Sequence, residues 1–292
     1  LVSSEVADNL KKIGVPFDGP LTISIYDTLG AKAYFSRLNN DLSKYSVVFT
    51  IFGPNYLRKK GYFDLVGFAQ PWIIDSSAYH IIPASRRFML KAKFYLQRLI
   101  FKRSDALVVE LEHVGERLKY GPAQFSGPVY VVHNCVSSIF LNESLWRPIS
   151  AKVLCKRFRV GFLGRDYPHK NTSIIPKVKE ILRNDYHIDV DFFVTFNESE
   201  WQAKSANFKD NVFNVGTLSG SECPAFFESM DAIIFPSLLE CFSATPLESM
   251  VMEKPLFASD RQFVRDVCGD FAFYFDPYDP NDAAKIIARY IK

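Results

Sequence analysis

Ala232-Ile233-Ile234-Phe235-Pro236-Ser237-Leu238-Leu239-Glu240-Cys241-Phe242-Ser243-Ala244-Thr245-Pro246-Leu247-Glu248-Ser249-Met250 is the stretch whose reading decides the fold. Its first four residues are a continuous apolar run, the pattern of a parallel strand buried on both faces. Pro236 and Ser237 end that run. The spacing predicts a helix starting near Thr245-Pro246, with Thr as N-cap and Pro at the first helical position, so that free backbone N–H groups face the carboxyl end of the strand. Such a helix end attracts anions. Two acids, Glu240 and Glu248, flank it, and acids repel phosphate. They suit instead the hydroxyl-rich parts of a ligand that also carries phosphate, and a nucleotide sugar meets that description. The alternative is an ordinary strand, turn and helix with two surface acids.

A chain of 292 residues is long enough for two layered domains, each with its own core. Apolar residues make up 48% and charged residues 23%, the balance of a globular α/β protein. No run approaches the roughly twenty apolar residues of a membrane span, and no signal-peptide pattern opens the chain. The expected location is therefore the cytoplasmic side of a membrane. Cys135, Cys155, Cys223, Cys241 and Cys268 are scattered, with no C-x-x-C pair and no His at metal-ligand spacing. They read as reduced packing residues, and neither a disulfide nor a metal is expected. The net charge of +3 hides an asymmetry: residues 1–149 carry 18 Lys and Arg against 12 Asp and Glu, and the remainder 17 against 20. The positive half calls for a partner.

Short apolar runs alternate with polar or helical material, which predicts parallel βαβ units. A first series comprises Leu21–Ile25, Val47–Ile51, Leu65–Phe68, Ala106–Val109 and Val129–Val132. A second comprises Phe158–Leu163, Val190–Phe196, Val212–Val215, Ala232–Phe235, Pro255–Ala258 and Ala272–Phe275. Between them, Asn142–Lys156 is a polar stretch with Pro148 and reads as a connection over 143–157. Two Rossmann-like α/β domains, 1–145 and 146–292, facing each other across a cleft are expected.

The first strand of the second series runs into Gly164-Arg165-Asp166-Tyr167-Pro168-His169-Lys170, a glycine turn with cations where a doubly wound sheet places phosphate. Arg165 offers a planar fork to a diphosphate and Lys170 a compact point charge. Basic residues in such a loop are also common as solvated charge. Their order ahead of Glu240 and Glu248 favours the site.

The pattern P-S-x-x-E-x-F-x-x-x-P-L-E-S-M, with seven residues between Glu240 and Glu248, and G-R-x-x-x-x-K at 164–170 resemble the signature of family 4 retaining glycosyltransferases of the GT-B fold, the bacterial O-antigen and surface-polysaccharide type. The resemblance implies transfer of a hexose or N-acetylhexosamine from a nucleotide-diphosphate sugar, UDP favoured over GDP, to a lipid-linked saccharide acceptor. It implies retention of configuration without metal or other cofactor. Carried residue by residue, it puts Glu240 by the sugar ring and Arg165 and Lys170 on the departing diphosphate. Gly164 and the backbone of Cys241, Phe242, Ser243, Ala244 and Thr245 fall at the phosphates, Gly216, Thr217 and Leu218 at the base, and Glu248 at the ribose.

The first half departs further from the family. Val131-Val132-His133-Asn134-Cys135-Val136-Ser137 is similar to the family's V-I-P-N-G-V-D, with His133 for Pro and Cys135 for Gly. Many members carry a His in the loop after a central first-domain strand; here that loop is Gly67-Phe68-Ala69-Gln70-Pro71-Trp72. Gln70 becomes the candidate contact to a sugar hydroxyl unless His80 folds back. Tyr56 and Trp72 either offer aromatic faces to an acceptor sugar or pack under loops. By the same resemblance the chain is expected to lack the family's leading strand with its glycine-rich turn, and its closing helix. A sugar-nucleotide epimerase and a non-catalytic nucleotide-binding module of the same fold remain as alternatives.

From Ser76 to Ser104 there is no acidic residue, while Arg86, Arg87, Lys91, Lys93, Arg98, Lys102 and Arg103 alternate with aromatic and aliphatic side chains. On a helix over 84–103, Arg87, Lys91, Arg98 and Lys102 share a stripe. An anionic membrane surface is the expected partner, on the inner face of the plasma membrane. The other reading is an amphipathic helix covering the sheet with a solvated edge. No nucleic-acid partner is expected, since the chain has no recognised binding motif.

Overall fold

The computed structural model describes residues 1–12, 17, 23–27, 30–58, 61–150 and 157–292. Apolar runs of three to five residues become strands in two sheets. Four of them, β1 (Val47–Thr50), β2 (Phe63–Gly67), β3 (Ala106–Val109) and β4 (Val129–Val131), lie in that order, with β1·β2 and β2·β3 parallel. The second sheet holds β5 (Phe158–Phe162), β6 (Val190–Val194), β7 (Val212–Asn214), β8 (Ala232–Phe235), β9 (Leu256–Ser259) and β10 (Phe273–Phe275), in the order β10-β9-β8-β5-β6-β7, with its pairs parallel. These are the expected runs, shifted by a residue or two at their ends. Leu21 and Thr22 of the run expected at 21–25 lie outside the described residues. Ile25 makes only an isolated parallel bridge to Val2. Part of the expected connection, 151–156, also lies outside them.

The chain divides into two compact units. The first, Leu1–Phe68 with Leu96–Val108 and Ser126–Tyr130, carries the four-stranded sheet except for Val109 and Val131. The second, Ala69–Tyr95 with Val109–Phe125 and Val131–Lys292, carries the six-stranded sheet.

Strands β6, β8 and β9 of the six-stranded sheet are buried on both faces, as their largely apolar runs require, while the edge strands β7 and β10 expose Phe213 and Phe273. Phe162, Phe192, Val194 and Phe257 join Ile175, Val178, Leu182, Ala284 and Ile287 of the helices Ile175–Tyr186 and Pro280–Ile291 in one core. Gly161 admits no side chain: an added Cβ would lie 2.7 Å from Met230 Cγ and 2.9 Å from the Phe226 ring. Strand order reverses between β5 and β8, which leave the sheet centre in opposite directions along the chain. A crevice outside the carboxyl ends of the strands forms at such a reversal, and ligands of doubly wound folds bind there. The loops that β5 and β8 feed are Gly164–Lys170 and Pro236–Ser243.

The helix after β8 spans Ala244–Val251, with Ser243 as N-cap, two residues before the expected start. Thr245 and Pro246 therefore sit inside the first turn. Proline is tolerated there because the first N–H groups of a helix have no intrahelical partner to lose.

Candidate functional site

Gly164 opens the loop after β5 with φ 149°, and Gly216 turns after β7 with φ 91°. Both are backbone conformations that favour glycine. Thr195 Oγ1, just beyond β6, accepts the Gly164 N–H at 3.0 Å. Asp166 is held by two donors, Thr172 Oγ1 at 2.6 Å and Lys204 Nζ at 2.7 Å, with Thr172 buried. The loop that presents Arg165 and Lys170 is thereby tied to its own scaffold.

Each cation is met by a carboxylate. Arg165 Nε donates to Glu200 Oε1 at 2.7 Å, which leaves the two terminal nitrogens of the guanidinium for a second anion. The Glu200 bond is also the main reason the Arg165 pKa is raised. Burial pushes the Glu200 carboxyl up, but Arg165 and the N–H groups of Asn197 and Asp166 outweigh it and hold the group below its usual range. Glu200 reaches this position through a capping box, in which Asn197 accepts from the Glu200 N–H and Glu200 accepts from that of Asn197.

Lys170 Nζ lies 2.5 Å from Glu240 Oε1 and 5.3 Å from the centre of the Phe235 ring. Ser237 Oγ donates to the same Oε1 at 2.7 Å. Both contacts engage one oxygen of Glu240 and spare the other. The loop after β8 is held by its neighbour: His169 carbonyl accepts the Leu238 N–H at 2.7 Å, and Ser259 Oγ donates to the Ser237 carbonyl at 2.6 Å.

Glu248 stands one turn into its helix; its backbone carbonyl accepts from the Met252 N–H, and its carboxylate has no hydrogen-bond partner among the described residues. Burial pushes its carboxyl up to about 7. Its negative charge, after burial, also helps raise the thiol of nearby Cys223 to about 11. Around it, Cys241 and Thr245 are buried, Phe242 and Ser243 half-buried and Ala244 exposed. Thr217 is exposed and Leu218 half-buried beyond Gly216, whose N–H donates to Asn214 Oδ1 at 3.2 Å.

The residues expected nearer the acceptor are placed differently from one another. Gln70 N-caps the short helix Pro71–Ile74 through its backbone, not its side chain. Trp72 packs edge-on to Tyr79 at 5.0 Å and His169 at 6.1 Å, and stacks on Phe94 at 6.2 Å. Trp72 and Ile81 also pack against Leu238, Leu239 and Ala78. Its role here is thus to brace the loops after β5 and β8. Tyr56 belongs to the other compact unit, where its hydroxyl accepts from Gln97 Nε2 at 2.9 Å. His80 lies against Tyr278, 5.2 Å between ring centres, rather than in the loop after β2. His133 and Asn134 both bond to Glu110.

The helix Ala84–Phe101 does not present the expected stripe as one line. Arg87 donates to the carbonyls of Ile82 and His80, and Arg98 is half-buried, so these two belong to the inward side with Phe94 and Phe101. Lys91 and Lys102 are exposed. Large apolar side chains are exposed as well: Phe88 is 82% exposed, Met89 64%, Leu96 60% and Leu99 41%. With Ala92 these four fall within an arc of about 100°. Arg86 and Lys93 border it on one side, Lys91 and Lys102 on the other.

Glu200, Asp166, Lys204 and Ser237 were not among the residues expected at the site. Asn197-x-x-Glu200 directly after a strand is a legible capping signal. The other three have no signature of their own.

Residues 150–292 match the sequence model of the family described as Glycosyl transferases group 1. Over 122 residues the chain is 25% identical to the O-antigen chain mannosyltransferase RfbU of Salmonella typhimurium, a match covering 40% of this chain and 34% of that protein. The chain thus spans about a third of the curated relative it matches. In three dimensions it resembles sucrose-phosphate synthase from Thermosynechococcus elongatus, with TM-score 0.63 and 16% identity over 94% of this chain and 72% of that one. It also resembles an alpha,alpha-trehalose-phosphate synthase (UDP-forming) from Burkholderia vietnamiensis, with TM-score 0.59 and 13% identity over 87% and 70% of the two chains. Residues 150–292 are a Glycosyl transferases group 1 domain, and the fold is the α/β arrangement of parallel sheets shared with GT-B glycosyltransferases.

Proposed function

We propose that the protein is a retaining, family 4-like glycosyltransferase that moves a hexose or N-acetylhexosamine from a nucleotide-diphosphate sugar to a lipid-linked saccharide, in the assembly of an O-antigen-like surface polysaccharide. The observation that carries the reading is the placement of Arg165, Lys170 and Glu240 on the loops, and of Glu248 on the helix, that follow the two strands at the strand-order reversal of one sheet. A diphosphate at the Gly164–Lys170 loop would take the terminal nitrogens of Arg165 and the ammonium of Lys170. As the bond between the sugar and the diphosphate breaks, negative charge gathers on the leaving oxygen, where these fixed cations lower its energy. The acceptor hydroxyl attacks from the leaving-group face and its proton passes to the departing phosphate oxygen, so no separate base is required. The spared oxygen of Glu240 serves a sugar hydroxyl, and Glu248 the ribose. The donor-binding part of the chain is 146–292, and 1–145 would hold the acceptor. Neither metal nor further cofactor enters the scheme.

The relative from Salmonella typhimurium makes mannose one sugar to test, and the UDP-forming structural relative supports a uridine donor. Among the described residues no helix is long and apolar enough to cross a membrane. The exposed ridge of Phe88, Met89, Leu96 and Leu99 between rows of cations supports reversible docking on the anionic inner face of the plasma membrane, beside a lipid-linked acceptor. The test is a screen of UDP- and GDP-hexoses for thermal stabilisation. A specific donor at a hundred times its dissociation constant adds about 2.7 kcal/mol of stability. Product configuration by NMR then separates retention from inversion. No stabilisation by any donor, or release of nucleotide without glycosidic product, would overturn the reading.

A further inference from the structure

Glu240 forms part of the wall of a second feature, a cavity of about 150 Å³ whose other titratable lining residues are Asp75, His113, Arg117, Asp260 and Arg261. At about 30 Å³ per water this holds roughly five waters, or one small charged group with part of a sugar. Gly164, Arg165, Lys170, Gly216 and Glu248 do not line it. The cavity therefore meets the donor residues only at Glu240.

Its charges are paired, with one exception. Arg117 Nη1 bonds Asp75 at 2.9 Å, Lys170 bonds Glu240 at 2.5 Å, and Arg265 grips both oxygens of Asp260 at 2.5 and 2.8 Å. His113 is joined to Asp266 at 2.6 Å. Arg261 remains. Its guanidinium lies 4.9 Å from the centre of the Tyr278 ring, and its Nε is buried with no hydrogen-bond partner among the described residues. Asp75 and Asp260 feel its charge through space, yet neither bonds to it. A buried guanidinium N–H without an acceptor is costly and uncommon in a folded protein. A cavity whose acids are already engaged, and whose one charged group without an ion-pair partner among the described residues is a guanidinium, is suited to an anion.

We infer that Arg261 receives an anionic group of the acceptor, a phosphoryl or a carboxylate borne close to the hydroxyl that attacks. The inference rests on the reading that Glu240 stands beside the transferred sugar. It makes the enzyme selective for acidic over neutral acceptors through a residue remote from the nucleotide.

Binding of glucose 6-phosphate, glucuronate and glucose is measured by calorimetry on the full chain, with and without UDP. The wild type binds at least one of the two acidic sugars about tenfold or more tighter than glucose, and the stronger of the two identifies the anion. R261Q loses that preference while UDP affinity stays unchanged, and R261K, which keeps the charge without the planar fork, retains part of it. Equal affinity for glucose and both acidic sugars, no binding of either acidic sugar, or an undiminished preference in R261Q would overturn the inference. Failure of UDP itself to bind the wild type would count against the donor reading, and the preference for acidic sugars would still be read from the arm without UDP.

Discussion

Glu248→Gln tests the site without any ligand. Burial pushes the Glu248 carboxyl from its ordinary 4.5 to about 7. A folded-state pKa above the unfolded one means that the folded chain holds the proton more tightly, so stability falls as pH rises from about 4.5 to about 7 and is level beyond. That interval, at about 1.4 kcal/mol per pH unit, amounts to about 3 kcal/mol. Gln keeps the shape and cannot ionise. The variant should therefore exceed the wild type in unfolding free energy by about 3 kcal/mol at pH 8 and by less than about 1 kcal/mol at pH 5. Urea titrations of both proteins at pH 5, 6, 7 and 8 measure the difference. The same group should govern the ligand: if ribose hydroxyls donate to the ionised carboxylate, the ionised fraction falls about tenfold from pH 8 to pH 6, and UDP affinity with it. Glu248→Gln should bind UDP more weakly at pH 8 and lack this component of the pH dependence. A stability difference that does not vary with pH, or a variant less stable than wild type at pH 8, would refute the reasoning about burial. An identical pH slope for UDP binding in the two proteins would refute the ribose assignment.

Arg165→Ala should lower turnover by about 10²–10³-fold while changing donor affinity much less, because the charge it meets develops in the transition state. Glu200→Gln should lower turnover by a smaller factor, and by nothing further in the Arg165→Ala background, since Glu200 acts by holding Arg165; additive losses in steady-state kinetics would show two independent roles. For the membrane surface, Phe88→Ser with Leu96→Ser, and separately Lys91→Glu with Lys102→Glu, should each reduce sedimentation with phosphatidylglycerol vesicles and leave UDP binding intact. Wild-type sedimentation should weaken with salt, as attraction screened within about 8 Å at physiological ionic strength must. Undiminished vesicle binding by both variants would remove the surface from consideration.

The elements of the six-stranded sheet were legible because each is announced locally. Runs such as Ala232–Phe235 are apolar throughout and closed by Pro or Gly, and a fully buried parallel strand needs nothing else. The turns were legible for a similar reason, since Gly164 and Gly216 stand where the backbone takes a positive φ. The candidate donor residues Arg165, Lys170, Glu240 and Glu248 were named from their order along the chain together with the family pattern they resemble. Which charge meets which could only come from the tertiary structure. Arg165 lies 35 positions from Glu200, and no local pattern brings together side chains that far apart. Arg261 stands out only because the acids around it are engaged by other cations. The helix Ala84–Phe101 shows the same limit. Periodicity sorts its residues into faces, but both faces carry large apolar side chains, and only packing decides that Phe94 is buried while Phe88 is exposed and that Arg87 turns to the carbonyls of Ile82 and His80. Local chemistry set the strands, turns and candidate residues of this chain, because each depends on its sequence neighbours alone; the pairing of charges and the exposed face of the helix depended on residues distant in sequence that folding brings near.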